Sequence, residues 1–238
     1  RDKGGRLLGL AGDGTNESFM HFEIAAQSGD RLDAIGAVVE GVLGDVRAAV
    51  EDWKTMRGRM KAIIDEVGPR RKPTADQIEA REFLQWIHAD QFTFLGYRDY
   101  DVKKVRGKTK VVIDAKTGLG ILRDPKVSVF RELRTLGAMS SENRELAAQS
   151  DLLMVTKANL RSTVHRPVHL DSIGIKKLDA KGHVVGLRLF VGLFTSSAYH
   201  RSPREIPLLR RKLQIAFDRT GFMPGSHDGK ALIHILET

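Results

Sequence analysis

Two short segments of the sequence combine hydroxyl, imidazole and guanidinium groups within a few consecutive residues. One is Arg161 to Pro167 (RSTVHRP) and the other is Ser196 to Ser202 (SSAYHRS). Each follows a run that alternates as a strand does, so we expect both to be loops. Arginine forks and backbone N–H groups in such loops can hold a carboxylate or a phosphate. The candidate effector or interface residues are Arg161, Ser162, His165, Arg166, Tyr199 and Arg201.

A purely structural role for these loops is the alternative that we favour. Most side-chain hydrogen bonds go to backbone or water, so the same groups can tie loop backbone together or face another subunit. A serine–histidine nucleophile is compatible with the residue types, but the sequence contains no GxSxG elbow. We therefore predict no catalytic residue in this chain.

The histidines do not predict a metal site. His165 and His169 have a spacing that chelates metals on a helix, but Pro167 and the β-branched neighbours indicate an extended chain. Four extended residues span about 13 Å, which is too far for one shared ion. The chain also has no cysteine, which excludes disulfides, thiol nucleophiles and thiolate ligands.

The glycine-containing segment Gly118 to Arg123 (GLGILR) has the start of a dinucleotide-binding loop but lacks the third glycine. Asp124-Pro125 follows it, where the N-terminus of a helix would have to meet a pyrophosphate. A turn within a sheet is the better interpretation. We predict no cofactor site in this chain.

The formal net charge of +9 permits an acidic protein, a nucleic acid or an anionic lipid as partner. The positive residues are dispersed, however, and aromatic residues make up only 6% of the chain, so no stacking platform for single strands is evident. We expect no nucleic-acid partner and keep a basic nucleic-acid-binding domain as the weaker alternative. No apolar run approaches the ~20 residues that span a bilayer, so we expect no membrane partner.

The first half of the sequence predicts mainly helices. Apolar residues recur every three or four positions from Leu32 to Val67, as in one long helix or two end-to-end helices. Gly68-Pro69 ends that pattern, because proline lacks the N–H that a helix needs. Thr74 to Gln77 is a capping box that begins a second helix. Ahead of both, Ser18 to Ile24 alternates polar and apolar residues and predicts a strand.

Five later segments predict an antiparallel sheet. Arg106 to Lys108 is a hairpin turn between the first two strands, and Asp179 to Gly182 joins the last two. A short helix over Ser141 to Gln149 separates the two groups, which is the order of a PAS-type sheet. The predicted strands are Phe92 to Val102, Lys110 to Asp114, Leu152 to Lys157, Val168 to Leu178 and Val184 to Phe194.

Two helices are predicted at the C-terminal end. Ser202 to Glu205 combines a capping box with proline at the first helical position, and the helix that it begins ends at Gly221. Ser226 caps the last helix. The fold class is therefore α+β, in which a helical pair precedes an antiparallel five-stranded sheet with helices packed on one face.

Several long segments resemble one protein family, in the same order along the chain. They are Phe94 to Tyr100 (FLGYRDY), Gly118 to Pro125 (GLGILRDP), Lys157 to Pro167 (KANLRSTVHRP), Gly192 to Tyr199 (GLFTSSAY), Arg201 to Pro207 (RSPREIP) and Gly225 to Ala231 (GSHDGKA). In these segments the chain is similar to the large bacterial NAD-specific glutamate dehydrogenases. The likeness runs from about Ser18 to Thr238 and is specific, because the matching segments are long and their sequences are unusual.

The resemblance implies a function for the parent enzyme and a supporting role for this segment. Such enzymes convert L-glutamate, NAD and water to 2-oxoglutarate, ammonia and NADH in the cytoplasm. They have ACT-like and PAS-like domains in an N-terminal half and the catalytic domain in a C-terminal half. This chain resembles the N-terminal half, so we expect a non-catalytic regulatory or oligomerisation segment, with NAD bound elsewhere in the parent. The alternative is a ligand-binding module that senses an amino acid.

The same resemblance suggests how the chain is divided. We expect residues 1–29 to be the tail of an upstream ACT-like domain and 30–90 a helical linker or interface. Residues 91–200 are then a PAS/ACT-like sheet domain, and 201–238 are helices that lead into the next domain. The chain begins without Met and stops within an apolar helical pattern, so we expect a fragment. The expected partners are the remaining domains of the same polypeptide, further copies in a homo-oligomer and an amino-acid effector.

Overall fold

The computed structural model describes residues 3–4, 19–68, 73–105, 108–129, 152–181, 183–223 and 225–237. The chain divides into two compact units, residues 1–39 and 40–238. The sheet and its buried core lie within the second unit. The predicted short helix over Ser141 to Gln149 lies outside the described residues, as do Arg106 and Gly107 of the first hairpin turn.

The two predicted helices precede the sheet. Helix α1 is a single helix of 38 residues, Gly29–Glu66, and helix α2 spans Ala75–Trp86. The predicted capping box at the start of α2 is confirmed, because the Thr74 hydroxyl accepts from the Gln77 N–H at 3.3 Å and the Gln77 side chain accepts from the Thr74 N–H at 3.2 Å. A π-helical turn, Ile87–Gln91, follows α2 and leads into the first strand.

The predicted strand over Ser18 to Ile24 is wrong for residues 19–24. They lie in no helix or strand, and the rings of Phe19 and Phe22 are 85% and 77% exposed. An alternating pattern stabilises a strand only where a neighbouring strand pairs with it. No such neighbour is present among the described residues of this part of the chain.

The predicted five-stranded antiparallel sheet is confirmed. Its strands are β1 (Phe92–Val105), β2 (Lys108–Gly120), β3 (Leu153–Arg161), β4 (His169–Leu178) and β5 (Val184–Phe194). They lie in the order β2-β1-β5-β4-β3, and every neighbouring pair is antiparallel. The interior strands β1, β5 and β4 therefore have partners on both sides.

A bulge in β1 distributes its side chains between two buried clusters. Phe94 pairs with Gly192 of β5, but Gly96 already pairs with Val191, so Leu95 is the additional residue. A bulge interrupts the simple alternation of faces. Phe92, Phe94 and Tyr97 therefore join one cluster, whereas Leu95 and Tyr100 join the other.

The first cluster holds the helices against the sheet. It combines side chains of the C-terminal half of α1 with Phe83 and Leu84 of α2 and with aromatic residues of β1 and β5. Met56 and Met60 of α1 are fully buried there. This arrangement agrees with the expected packing of helices on one face. In contrast, Val39, Val50 and Trp53 of α1 are 42% exposed or more, so the predicted apolar stripe is buried only in part.

The second cluster lies under the segment that follows β2. Ile121, Leu122 and Val129 from that segment pack with side chains of β1, β4 and β5. Ala49 of α1 and Val164 of the β3–β4 loop also contribute. Segments far apart in the sequence are thus joined in one apolar core.

Among the described residues, three helices follow the sheet: α3 (Ser196–Tyr199), α4 (Leu209–Thr220) and α5 (His227–Glu237). The prediction of a loop over Ser196 to Ser202 is wrong for residues 196–199, which form α3 because the Thr195 hydroxyl caps it by accepting from the Ala198 N–H at 3.4 Å. The prediction that a helix begins after Ser202 is wrong, because residues 203–208 form turns. Pro207 and the left-handed backbone of Leu208 (φ 67°) interrupt the chain, and α4 begins only after them. The predicted end of α4 is confirmed, because Gly221 is a left-handed C-cap with φ 68°. The predicted cap at the start of α5 is also confirmed, because the Ser226 hydroxyl accepts from the Gly229 N–H at 3.0 Å. No helix among the described residues is long and apolar enough to cross a membrane.

Candidate functional site

The loop between β3 and β4 is closed by its own hydrogen bonds. Arg161, the last residue of β3, donates to the carbonyl oxygen of Pro167 at 2.5 Å. The Ser162 N–H donates to the carbonyl of Val168 at 2.8 Å, and its hydroxyl donates to the carbonyl of Val164 at 2.6 Å. Ser162 is buried, and its hydroxyl donates to backbone rather than to a histidine. It is therefore not arranged as a nucleophile.

Helix α1 also holds this loop. The hydroxyl of Thr163 donates to the Asp45 carboxylate at 2.6 Å, and Val164 is buried in the second cluster. His165 follows at the exposed tip with a left-handed backbone, φ 65°. Because its neighbours on both sides are tied down, the backbone holds a conformation that is unusual for a residue with a Cβ.

Arg166 joins the two predicted loops. It donates to the carbonyl oxygen of Phe194 at 2.9 Å, at the end of β5, and its guanidinium lies 5.6 Å from the centroid of the Tyr199 ring. Both side chains are exposed, and exposed cation–π pairs are worth only about 0.5–1 kcal/mol. The pair can therefore open to contact a ligand or another surface at small cost.

Arg201 makes a separate contact. Its guanidinium pairs with Glu205 at 3.3 Å, whereas the neighbouring His200 ring bonds to the carbonyl of Ser196 at 2.6 Å. The structure thus joins Arg166 with Tyr199, closes the β3–β4 loop with Arg161 and Ser162, and pairs Arg201 with an acid. The effector or interface role of these six residues stays a prediction.

The most deeply buried charge is Arg98 of β1, which the sequence does not single out. Its side chain is fully buried and donates to three carbonyl oxygens of the segment after β2. Nε and Nη2 bond to Leu122 at 3.2 and 2.7 Å, Nη2 also bonds to Asp124 at 2.6 Å, and Nη1 bonds to Val127 at 2.9 Å. Through these bonds the guanidinium holds the backbone of the segment after β2 against β1.

A hydroxyl, a carboxylate and an ammonium group meet between β1 and β4. The Tyr97 hydroxyl donates to Asp99, and the Lys177 ammonium donates to the same carboxylate at 2.8 Å. Burial of Tyr97, and then its hydrogen bond to Asp99, raise the pKa of the phenol well above its ordinary value. A phenol that keeps its proton is unsuited to act as a base.

An acid–arginine contact ties α1 to the end of β2. Arg123 donates to both Asp52 carboxylate oxygens, at 2.7 and 2.9 Å, and to Glu51 at 2.8 Å. Asp52 also accepts the Gly120 N–H at 2.7 Å. Gly120 has φ 58°, and a Cβ there would lie 2.1 Å from the Leu95 carbonyl oxygen. The prediction of a turn in this glycine-containing segment is confirmed.

Among the described residues, no group of three or more His, Cys, Asp or Glu side chains is arranged so that it could hold a metal ion. The histidines at 165 and 169 are not joined by any contact. His169 instead bonds through Nδ1 to the Ala158 carbonyl at 3.1 Å.

Three known proteins to which this chain is similar are NAD-specific glutamate dehydrogenases. The NAD-specific glutamate dehydrogenase of Halomonas elongata is 37% identical over 225 residues, which cover 93% of this chain and 14% of that enzyme. That of Pseudomonas aeruginosa is 34% identical over 94% of this chain and 14% of the enzyme. That of Mycobacterium tuberculosis is 25% identical over 226 residues, which cover 93% of this chain and 13% of that enzyme. The chain thus spans about 14% of the length of these relatives.

A family model described as "Glutamate dehydrogenase, helical motif 1" matches residues 206–238, the part that contains α4 and α5. The homologues that cover this chain are large NAD-specific glutamate dehydrogenases, which confirms the resemblance seen in the sequence. The ACT-like and PAS-like assignments and the domain boundaries stay predictions.

The Asp52–Arg123 contact generates a pH prediction. The hydrogen bond from Arg123, and then that from Gly120, hold the pKa of Asp52 below its ordinary value of 3.8. A carboxyl whose pKa is lower in the folded chain stabilises the fold above 3.8, and this contribution is lost as the pH falls through the folded pKa. We expect the free energy of unfolding to fall less steeply with acid in Asp52→Asn than in the wild type.

The measurement is urea unfolding across the acidic range. Asp33→Asn is the matched control, because it removes an exposed carboxylate from the same helix. Equal acid dependence in the wild type and Asp52→Asn would show that the contact contributes nothing.

Proposed function

We propose that this chain is a non-catalytic supporting segment of a large NAD-specific glutamate dehydrogenase, the enzyme named in the relatives that cover it. In this proposal the parent converts L-glutamate, NAD and water to 2-oxoglutarate, ammonia and NADH in the cytoplasm. NAD binds elsewhere in the polypeptide. The segment positions helical motif 1, and with it the domains that follow, and contributes to contacts between copies in a homo-oligomer.

The observation that carries the proposal is a clamp between α2 and the first helix of that motif. Glu79 of α2 accepts from the Leu208 N–H at 2.9 Å and from Arg210 Nε at 2.8 Å. Arg210 also donates to Glu82, and Arg211 pairs with Asp76 at 3.3 Å. Three acidic residues of α2 thus hold the start of α4.

This clamp includes a bond to the backbone as well as ion pairs, so it also fixes the geometry of the chain that leads into α4. Leu208 has a left-handed backbone, and its N–H is held by Glu79. The Glu79 side chain is only 14% exposed, so its contacts are less screened than those of surface ion pairs. A segment that fixes the direction of the next helix is suited to positioning domains.

The finer assignments rest on the order of the strands and on the family resemblance. Two strands, an intervening stretch and three strands support a PAS-like sheet, and the ACT-like tail rests on the family resemblance alone.

The alternative, an amino-acid-sensing module, is favoured by the exposed Arg166–Tyr199 pair, which could bind a carboxylate. An isothermal titration with amino acids distinguishes this role from a supporting one.

Catalysis is the first property to test. We expect the purified chain, supplied with glutamate and NAD, to produce no NADH, because the proposal assigns the reacting groups to another part of the enzyme. Absorbance at the NADH band measures this, with an intact glutamate dehydrogenase as positive control. Glutamate-dependent turnover by the chain itself would exclude a non-catalytic role.

The clamp is the second property to test. Glu79→Gln keeps the shape of the side chain but removes the charge that Arg210 meets. We expect amide hydrogen exchange to become faster in α4 by about three- to tenfold, while the sheet keeps its protection, since charge-assisted bonds are worth about 1.5–3 kcal/mol and part is retained by the amide. Glu205→Gln, which removes an exposed carboxylate, is the matched control. Unchanged exchange in α4 of Glu79→Gln contradicts the clamp.

A further inference from the structure

A cavity of about 210 Å³ lies beside the end of α1, between α2 and strands β4 and β5. It is distinct from the β3–β4 loop and from the Arg166–Tyr199 pair. Its charged lining residues are Arg81, Lys176, Arg188, Glu66 and Glu82. Three positive and two negative side chains give the lining a positive balance.

Both lining carboxylates already have arginine partners. Arg188 pairs with Glu66 at 2.7 Å, and Glu82 pairs with Arg210 of the clamp. An entering anion would therefore meet Arg81 without having to displace a salt bridge. The positive balance makes an anion the favoured kind of ligand.

Arg81 is the side chain best placed to bind such an anion. It lines the cavity, and its Nε is buried with no hydrogen-bond partner among the described residues. Buried N–H donors are nearly always paired, and this Nε is an exception among the described residues. A guanidinium presents its donors in a fork that matches a carboxylate. Lys176, which is only 5% exposed, adds a second cationic side chain to the lining.

The size and the remaining walls restrict the ligand further. Pockets for drug-sized molecules occupy about 300–1,000 Å³, so this cavity is too small for a dinucleotide. Val67, Ile78 and Leu178 supply apolar walls. These walls suit a short hydrocarbon body attached to the anionic group.

We propose that this cavity binds a small aliphatic carboxylate, which Arg81 holds through its guanidinium beside Lys176 while the hydrocarbon part lies against Val67, Ile78 and Leu178. Glu82 both lines the cavity and binds Arg210, so the bound anion lies next to the clamp on α4. This site goes beyond the supporting role and does not depend on it, because its binding can be measured without any turnover.

The test is a calorimetric titration of the chain with sodium isovalerate, its neutral analogue isovaleramide, and inorganic phosphate. We expect saturable binding of isovalerate, none of the amide, and weaker binding of phosphate, which lacks the hydrocarbon part. Absence of saturable isovalerate binding overturns the proposal. Equal affinity for the amide or for phosphate also overturns it, because the carboxylate or the apolar walls would then contribute nothing.

Variants assign the binding to this cavity. Arg81→Gln is expected to weaken isovalerate binding about tenfold or more, corresponding to about 1.4 kcal/mol per factor of ten. Arg47→Gln, which removes an exposed arginine of α1, should leave it unchanged. Leu178→Phe narrows the cavity from the end of β4 and should also weaken binding, which keeps the test decisive if Arg81→Gln fails to fold. Wild-type affinity in a folded Arg81→Gln, or in Leu178→Phe if the former does not fold, contradicts the proposed site.

Discussion

A buried guanidinium group, bonded to the segment that contributes Leu122 to the second core cluster, organises the centre of this fold. Arg98 projects from β1, the strand that pairs with both β2 and β5, and its side chain is fully buried. Burying an unpaired charge would cost many kcal/mol. The carbonyl oxygens of Leu122, Asp124 and Val127 offset that cost by accepting its hydrogen bonds. The segment after β2 must therefore fold back over β1, which brings Ile121, Leu122 and Val129 into the core.

Other arginines also join distant parts of the chain, most of them through carboxylate partners. Arg123 ties the end of β2 to α1, Arg188 ties β5 to the end of α1, and Arg210 ties α4 to α2. Arg166 joins the β3–β4 loop to the end of β5. Part of the basic balance of the sequence is thus used for internal cross-links. A chain with this use of charge is suited to holding domains in position, which agrees with the proposed supporting role.

Features that depend on neighbouring residues could be predicted from the sequence. The capping box at Thr74, the Ser226 cap and the left-handed Gly221 each arise within a few residues, and all are present. The five strands were predictable because period-two alternation and turn residues are also local signals. The family resemblance was inferred from contiguous segments, and the relatives confirm the resemblance.

Features that depend on distant partners could not be predicted. Residues 19–24 continue the pattern of a strand but have no strand partner among the described residues. The helix expected after Ser202 is delayed by Leu208, whose N–H is held by Glu79. The Asp52–Arg123 contact joins residues 71 apart. Arg98 lies in an alternating run in which an arginine would ordinarily face solvent, and the bulge at Leu95 disturbs the assignment of faces. The β3–β4 loop was predicted as a loop, whereas the second predicted loop begins with the helix α3. Nothing local shows that Arg166 reaches Tyr199.

Stability of the Arg98→Met variant is the most direct test of this account, because methionine keeps much of the apolar volume but can donate no hydrogen bond. We expect a loss of about 3 kcal/mol or more in the free energy of unfolding by urea, since the buried carbonyl of Leu122 and the partly buried carbonyls of Asp124 and Val127 lose their donor at about 1–3 kcal/mol each. Arg166→Met, which removes an exposed guanidinium with one backbone partner, should cost less than about 1 kcal/mol. If Arg98→Met unfolds at the same urea concentration as the wild type, the buried guanidinium does not hold the fold together and the account is contradicted.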